Sequence, residues 1–167
     1  MTYDVEQLYR DNRVQSIHEG THGLQGLDLL GRKVPMKDGA GLKLLCDRIA
    51  STIAAAEVAG DRCRVFAAHL SEAVGSLTRA TDAALSVAPD RGLDNSSAYL
   101  EATGHIVVAW LWLDQVLALG DRGDAFAAGK RQTALYFFEW ELPKALTQLA
   151  LVERLDSIPR DMLDAWF

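Results

Sequence analysis

Side chains that could take part in chemistry concentrate in one stretch near the start of the chain. The stretch combines groups that enzymes use for proton transfer, metal binding and anion binding: Arg10, Asp11, Asn12, Arg13, His18, Glu19, Thr21, His22 and Asp28. The other two histidines, His69 and His105, lie in alanine- and valine-rich segments, where a partly buried, hydrogen-bonded imidazole is the usual role. Residues 10–28 are therefore the candidates for a functional site.

One interpretation of this stretch is a metal site. His18, Glu19 and His22 match the H-E-x-x-H pattern, in which two imidazoles one helical turn apart bind zinc and the glutamate activates water. That pattern requires a helix, whereas Gly20 costs about 1 kcal/mol in a helix interior relative to alanine. Gln25 also replaces the glycine that a metzincin-like turn needs. We predict no metal ligands here and keep a zinc metalloprotease as an alternative.

A longer string surrounds this pattern, with YRDNR over residues 9–13 and IHEGTHGLQGLDLLGRK over residues 17–33. It resembles the acyl-CoA dehydrogenase family, in the branch with an additional C-terminal helical domain that includes the methylmercaptopropionyl-CoA dehydrogenases. That family carries an aromatic-Glu-Gly-Thr-x-x-Ile/Leu-Gln string near the end of its third domain. Here His18 stands where most of these enzymes have tyrosine, as in this branch. The segment around Trp110 and residues 136–143 resembles the added domain more weakly.

The resemblance implies a role for each residue of the motif. Glu19 would be the general base that removes the α-proton of an acyl-CoA thioester, while the β-hydrogen leaves as hydride to FAD and a 2-enoyl-CoA forms. Gly20 would allow the thioester to approach closely, and Thr21, His22 and Gly23 would line the flavin nucleotide. A carboxylate can act on such a carbon acid only where water is excluded and donors hold the thioester oxygen. The implied cofactor is FAD and the implied substrate is an acyl-CoA.

Apolar periodicity and capping residues predict helices along the whole chain. Gly31 should end the second helix, Pro143 should kink the last long one, and Ser157 should cap a further short helix. No segment alternates with period two between turn signals, so no strand is expected. We predict an all-α fold, an up-down four-helix bundle preceded by two short helices. The expected ranges are 4–13 and 21–30 for the short helices, and 38–60, 62–88, 96–119 and 124–155 for the long ones.

Residues 31–39, GRKVPMKDG, combine glycine, proline and charge, which predicts an exposed link. We place a domain boundary there. By the resemblance, residues 1–36 would form the end of the acyl-CoA dehydrogenase third domain with the catalytic glutamate motif. Residues 37–167 would form the C-terminal helical bundle domain.

The composition excludes several classes of protein. With 49% hydrophobic and 24% charged residues among 167, the chain suits a globular domain, and a formal net charge of -6 disfavours nucleic-acid binding. The longest apolar run, residues 106–113, is much shorter than the roughly 20 residues that span a bilayer. The chain starts without a signal-peptide pattern, and Cys46 and Cys63 lack metal-ligand spacing. We therefore expect a cytoplasmic protein without a membrane span.

Two hypotheses for the polypeptide follow. Under the first, it is the C-terminal part of an FAD-dependent acyl-CoA dehydrogenase, inactive and unable to retain FAD without the missing N-terminal dehydrogenase domains. We also expect a homo-oligomer, such as a dimer, because missing domains would leave apolar surface exposed. Under the second, it is a stand-alone helical interaction module that offers residues 1–36 to a partner chain.

Overall fold

The computed structural model describes residues 5–17 and 21–166. In this part of the chain no strand occurs, which confirms the all-α prediction. Two π-helical turns, Leu29–Lys33 and Phe137–Glu141, extend the helices that precede them, and a 3-10 turn, Asp164–Trp166, ends the described chain. The α-helices in chain order are α1 Glu6–Ile17, α2 His22–Asp28, α3 Met36–Glu57, α4 Asp61–Leu85, the single turn α5 Pro89–Gly92, α6 Ser96–Leu119, α7 Ala125–Tyr136 and α8 Leu142–Glu153.

An up-down bundle is formed by four long helical segments: α3, α4, α6 and the α7–α8 rod, in which the π-helical turn joins α7 to α8. Short connections reverse the chain between α3 and α4 and between α6 and α7. Along α6, Glu101 contacts Gln148 and His105 lies 3.8 Å from Glu141, so α8 runs antiparallel to α6. The predicted up-down order is thereby confirmed.

Helix α4 contributes a row of buried residues to the core of the bundle. Its small buried side chains Ala73, Ala80 and Ala84 allow neighbouring helices to approach closely. Phe66 of α4 stacks on Phe138 with ring centroids 4.3 Å apart. Because such a ring pair is worth more than its buried area alone, it ties α4 to the α7–α8 rod.

The third long helix, α6, is the central helix of the bundle. It spans Ser96–Leu119 as the periodicity predicts, and it packs against α2, α4 and α8. By length and composition alone it could also cross a membrane. Its buried residues, which include Tyr99, Ile106 and Leu113, face other helices of the bundle. These contacts account for part of the apolar character of α6, whereas Val108 and Leu111 on the same helix are exposed.

Two predicted features near the end of the chain, the kink at Pro143 and the helix cap at Ser157, differ from the structure. The kink expected at Pro143 takes the form of the π-helical turn Phe137–Glu141, which places this proline in the first turn of α8, where its missing N–H costs no hydrogen bond. The prediction that Ser157 caps a helix is wrong. Its hydroxyl donates to Asp161 Oδ2 at 2.7 Å rather than accepting from a backbone amide, and only a turn follows.

The predicted link begins as a helical turn. The π-helical turn Leu29–Lys33 continues α2, so Gly31 does not end that helix, and Leu30 and Val34 are buried in the core. The chain reverses later, at Lys37, Asp38 and Gly39, which all have positive φ. The expectation of an exposed link over residues 31–39 is confirmed for most of its residues, and it was wrong at Val34, whose apolar side chain is buried in the core. The domain boundary at residue 36 stays a prediction.

Tyr99 provides a test of the core. Its side chain is fully buried on α6, and its hydroxyl lies 2.7 Å from Thr81 Oγ1 of α4. Burial raises the pKa of Tyr99 to about 12, which the hydrogen bond to Thr81 only partly opposes. The folded protein therefore keeps a proton that the unfolded chain releases above its ordinary pKa of about 10.

We expect Tyr99 to lower the free energy of unfolding of the wild type by about 1.4 kcal/mol per pH unit as the pH rises from about 10 to about 12. Tyr99→Phe should remove that loss and cost about 1 kcal/mol at neutral pH. Urea unfolding at several alkaline pH values measures both effects. Tyr136→Phe, which removes a half-exposed hydroxyl, is the matched control. An alkaline loss that persists unchanged in Tyr99→Phe would contradict the assignment.

Candidate functional site

The described residues of the motif, Thr21, His22 and Gly23, lie at the start of α2. His18, Glu19 and Gly20 lie outside the described residues, so the structure does not test their predicted roles. Thr21 occupies the N-cap position of α2, and its Oγ1 accepts a hydrogen bond of 2.9 Å from Gln25 Nε2.

His22 and Gly23 begin the helix on an exposed face. A side-chain carbon added at Gly23 would meet no atom of the described residues outside its own helix backbone within 4 Å.

His22 is joined to the bundle by a carboxylate. Its Nε2 lies 3.2 Å from Glu101 Oε1 of α6, and both side chains are 46% exposed. The second oxygen of Glu101 accepts a hydrogen bond from Gln148 Nε2 of α8. One carboxylate therefore links α2, α6 and α8 immediately beside the motif.

The other end of α2 is held by close backbone packing. Gly26 is buried, and a side-chain carbon built on it would lie 2.7 Å from the carbonyl oxygen of Ser96. Leu30, one turn further on, is fully buried in the core. Glycine is thus required at residue 26 for α2 to reach the start of α6.

A second polar cluster surrounds Glu141 and includes His105, which lies one helical turn after Glu101 on α6. Glu141 accepts a hydrogen bond of 2.6 Å from Lys144 Nζ and another of 3.2 Å from Tyr136, and His105 Nε2 lies 3.8 Å away. The hydrogen bond from Lys144 is the main reason that the pKa of Glu141 lies below its ordinary value. Sequence reasoning missed this cluster and also Glu101 and Gln148. The single available signal was Glu101 itself, a charge that precedes an uncharged run of α6.

The described residues offer no constellation suited to a metal. Among them no group of three or more histidine, cysteine, aspartate or glutamate side chains comes together. Cys46 and Cys63 are free, and burial raises the pKa of each thiol. Since His18 and Glu19 lie outside the described residues, the zinc alternative stays untested.

The start of α2 suits one side of a flavin site. Gly23 leaves room for a nucleotide to lie against the helix, and Thr21 and His22 supply a hydroxyl and a ring nitrogen beside it. The face is open to solvent, so these residues could contact a flavin but could not enclose it.

The fold and the candidate site together define an α-helical bundle with a docked helix, α2, which carries the end of the glutamate motif. The chain belongs to the family described as "Acetyl-CoA dehydrogenase C-terminal like", whose family model matches residues 45–162. The predicted resemblance to the C-terminal region of acyl-CoA dehydrogenases is confirmed.

Two characterised relatives are similar to the chain. A 3-methylmercaptopropionyl-CoA dehydrogenase of Ruegeria pomeroyi is 35% identical over 141 residues, which cover 80% of this chain and 24% of the relative. The broad-specificity linear acyl-CoA dehydrogenase FadE5 of Mycobacterium tuberculosis is 25% identical over 182 aligned positions, which cover 99% of this chain and 30% of the relative. The chain thus spans less than a third of either relative. No solved structure matches it.

Proposed function

We propose that the chain acts as the C-terminal part of an FAD-dependent acyl-CoA dehydrogenase that converts an acyl-CoA to a 2-enoyl-CoA. Glu19 is the general base for the α-proton in this proposal. FAD, when bound, supplies the acceptor for the β-hydride. The observation that carries the proposal is the docking of α2: the helix that follows the Glu19-Gly20-Thr21 motif is held on the bundle at His22 and at Gly26.

Each residue of the motif has a separate role in this proposal. Gly20 lets the thioester carbon approach the carboxylate of Glu19, and Thr21, His22 and Gly23 contact the nucleotide on the open face of α2. A carboxylate in water is too weak a base for an α-proton, so the site must be closed to solvent. In this proposal N-terminal dehydrogenase domains supply the covering groups, and the chain itself matches less than a third of the length of either relative.

The exposed face of α1 supports such a partner. Val5, just before α1, and Leu8 and Tyr9 lie on one side of this segment and are each half exposed or more, and α1 makes at most marginal contact with the rest of the described chain. A helix of twelve residues is marginal in water unless an apolar face is covered. We propose that the N-terminal dehydrogenase domains cover this face, that the assembly is a homo-oligomer, and that it works in the cytoplasm.

Complementation tests the proposal. The purified chain should lose FAD on gel filtration because its flavin contact area is small. Adding the N-terminal region of the Ruegeria pomeroyi relative should restore both flavin retention and dye reduction with an acyl-CoA. Flavin absorbance at about one FAD per isolated chain would contradict the first expectation.

Two further outcomes distinguish the alternatives. A stable complex without dye reduction would favour a stand-alone interaction module. A tightly bound zinc ion in the same preparation would favour the metalloprotease pattern.

A further inference from the structure

We infer that Glu101 and Gln148, which lie in the bundle and outside the motif, are positioning residues for the catalytic motif, so that the bundle is part of the active site. This inference rests on the proposed function. Glu101 Oε1 is 3.2 Å from His22 Nε2, and the other carboxylate oxygen accepts from Gln148. Each oxygen therefore serves a different helix, and the side chain is held from two sides.

The orientation of Gln148 depends on this carboxylate. Within the described residues, its Oε1 is buried and has no hydrogen-bond donor. Burying an unpaired oxygen is costly, so the amide would turn over if its NH2 group were free. Turning over would instead direct Oε1 at the negative oxygen of Glu101. Gln148 therefore keeps its hydrogen bond to Glu101, although its own Oε1 stays buried without a donor among the described residues.

Glu101 lies at the edge of an apolar stretch of α6 and does not belong to the buried core. From Ala102 to Leu113 this helix carries no aspartate, glutamate, lysine or arginine, and its buried residues there are apolar. Glu101 stands at the edge of that run, where α6 meets both α2 and α8. Its two contacts are therefore the role that the structure assigns to it.

Both ends of α2 are thus fixed on α6. Gly26 packs against Ser96, and His22 is held by Glu101 one turn earlier along α2. Glu19 precedes His22 by less than one helical turn in the sequence. Releasing His22 would therefore widen the range of positions open to the base, and loss of orientation lowers the rate of a positioned reaction.

Hydrogen exchange of the isolated chain tests the positioning without any activity. In Glu101→Ala, the amides of residues 23–28 should exchange about fivefold faster than in the wild type, since a contact worth about 1 kcal/mol is lost.

Glu153→Ala is the matched control. Its pair with Arg79 also joins two helices, has the same 3.2 Å separation and is similarly exposed. The control should leave exchange in α2 unchanged. Unchanged exchange in Glu101→Ala, or an equal effect of both variants, would overturn the inference.

The complemented dehydrogenase supplies the second readout. Glu101→Ala should lower kcat about tenfold with little change in KM, because the substrate still binds while the base is less well oriented. Glu101→Gln should recover part of the loss, since its amide oxygen can still accept from His22. Faster exchange with unaltered kcat would overturn the positioning role. Absence of dye reduction by the wild-type complex would count against the proposed function alone, and the exchange result would still decide whether Glu101 holds α2.

Discussion

Replacing Glu19 with glutamine should lower kcat of the complemented dehydrogenase about a thousandfold. Glutamine has nearly the same size but cannot accept the α-proton, so the chemical step loses its base while substrate binding is largely kept. Steady-state dye reduction with an acyl-CoA measures the effect. The FAD content of wild type and variant should be equal, because the substitution does not alter the proposed nucleotide contacts at Thr21, His22 and Gly23.

The control for this prediction is Glu57→Gln. Glu57 is an exposed glutamate at the end of α3, away from the motif, and its substitution should leave kcat within about twofold of the wild type. A Glu19→Gln enzyme that keeps more than about a tenth of the wild-type kcat would show that another group removes the proton. The proposed role of Glu19 would then fail even if the complex binds FAD and acyl-CoA.

Gly26→Ala should destabilise the isolated chain by about 3 kcal/mol and lower its Tm by roughly 8 °C. The added carbon would lie 2.7 Å from the carbonyl oxygen of Ser96 and 2.8 Å from its carbonyl carbon. These are backbone atoms, so no side-chain rotation can relieve the overlap. The helices α2 and α6 must separate, and the contact between His22 and Glu101 should weaken with them.

Gly23→Ala in the same helix is the matched control. Among the described residues, no atom outside the backbone of α2 lies within 4 Å of the position that its side chain would take, and alanine favours helix by about 1 kcal/mol over glycine. Its Tm should therefore stay level or rise. Thermal unfolding followed by circular dichroism compares the two variants. Equal Tm values for both would mean that α2 does not pack against Ser96 as the structure has it.

Local signals in the sequence determined most of the helices. Periodicity and capping residues predicted a helix over residues 96–119, which is the span that α6 has, and one over residues 62–88, of which α4 covers most. Asp124 was expected near the start of α7, and its side chain caps that helix by accepting from the backbone amide of Ala127. Such signals act within one or two helical turns, so they can be read without the fold. The motif around Glu19 was identified in the same way, and its chemical role stays a prediction.

The contacts between the motif and the bundle could not be predicted from the sequence. His22 and Glu101 are 79 residues apart, and Glu101 and Gln148 are 47 apart, so no periodicity relates them. Periodicity shows which face of a helix is apolar, but not how far two packed helices slide or which polar groups at their edges meet. The packing of Gly26 on Ser96 decides that register for α2 and α6. The sequence alone determined the helices and the motif, whereas tertiary packing decided which side chains of the bundle hold the motif, because such pairings depend on the relative placement of whole helices.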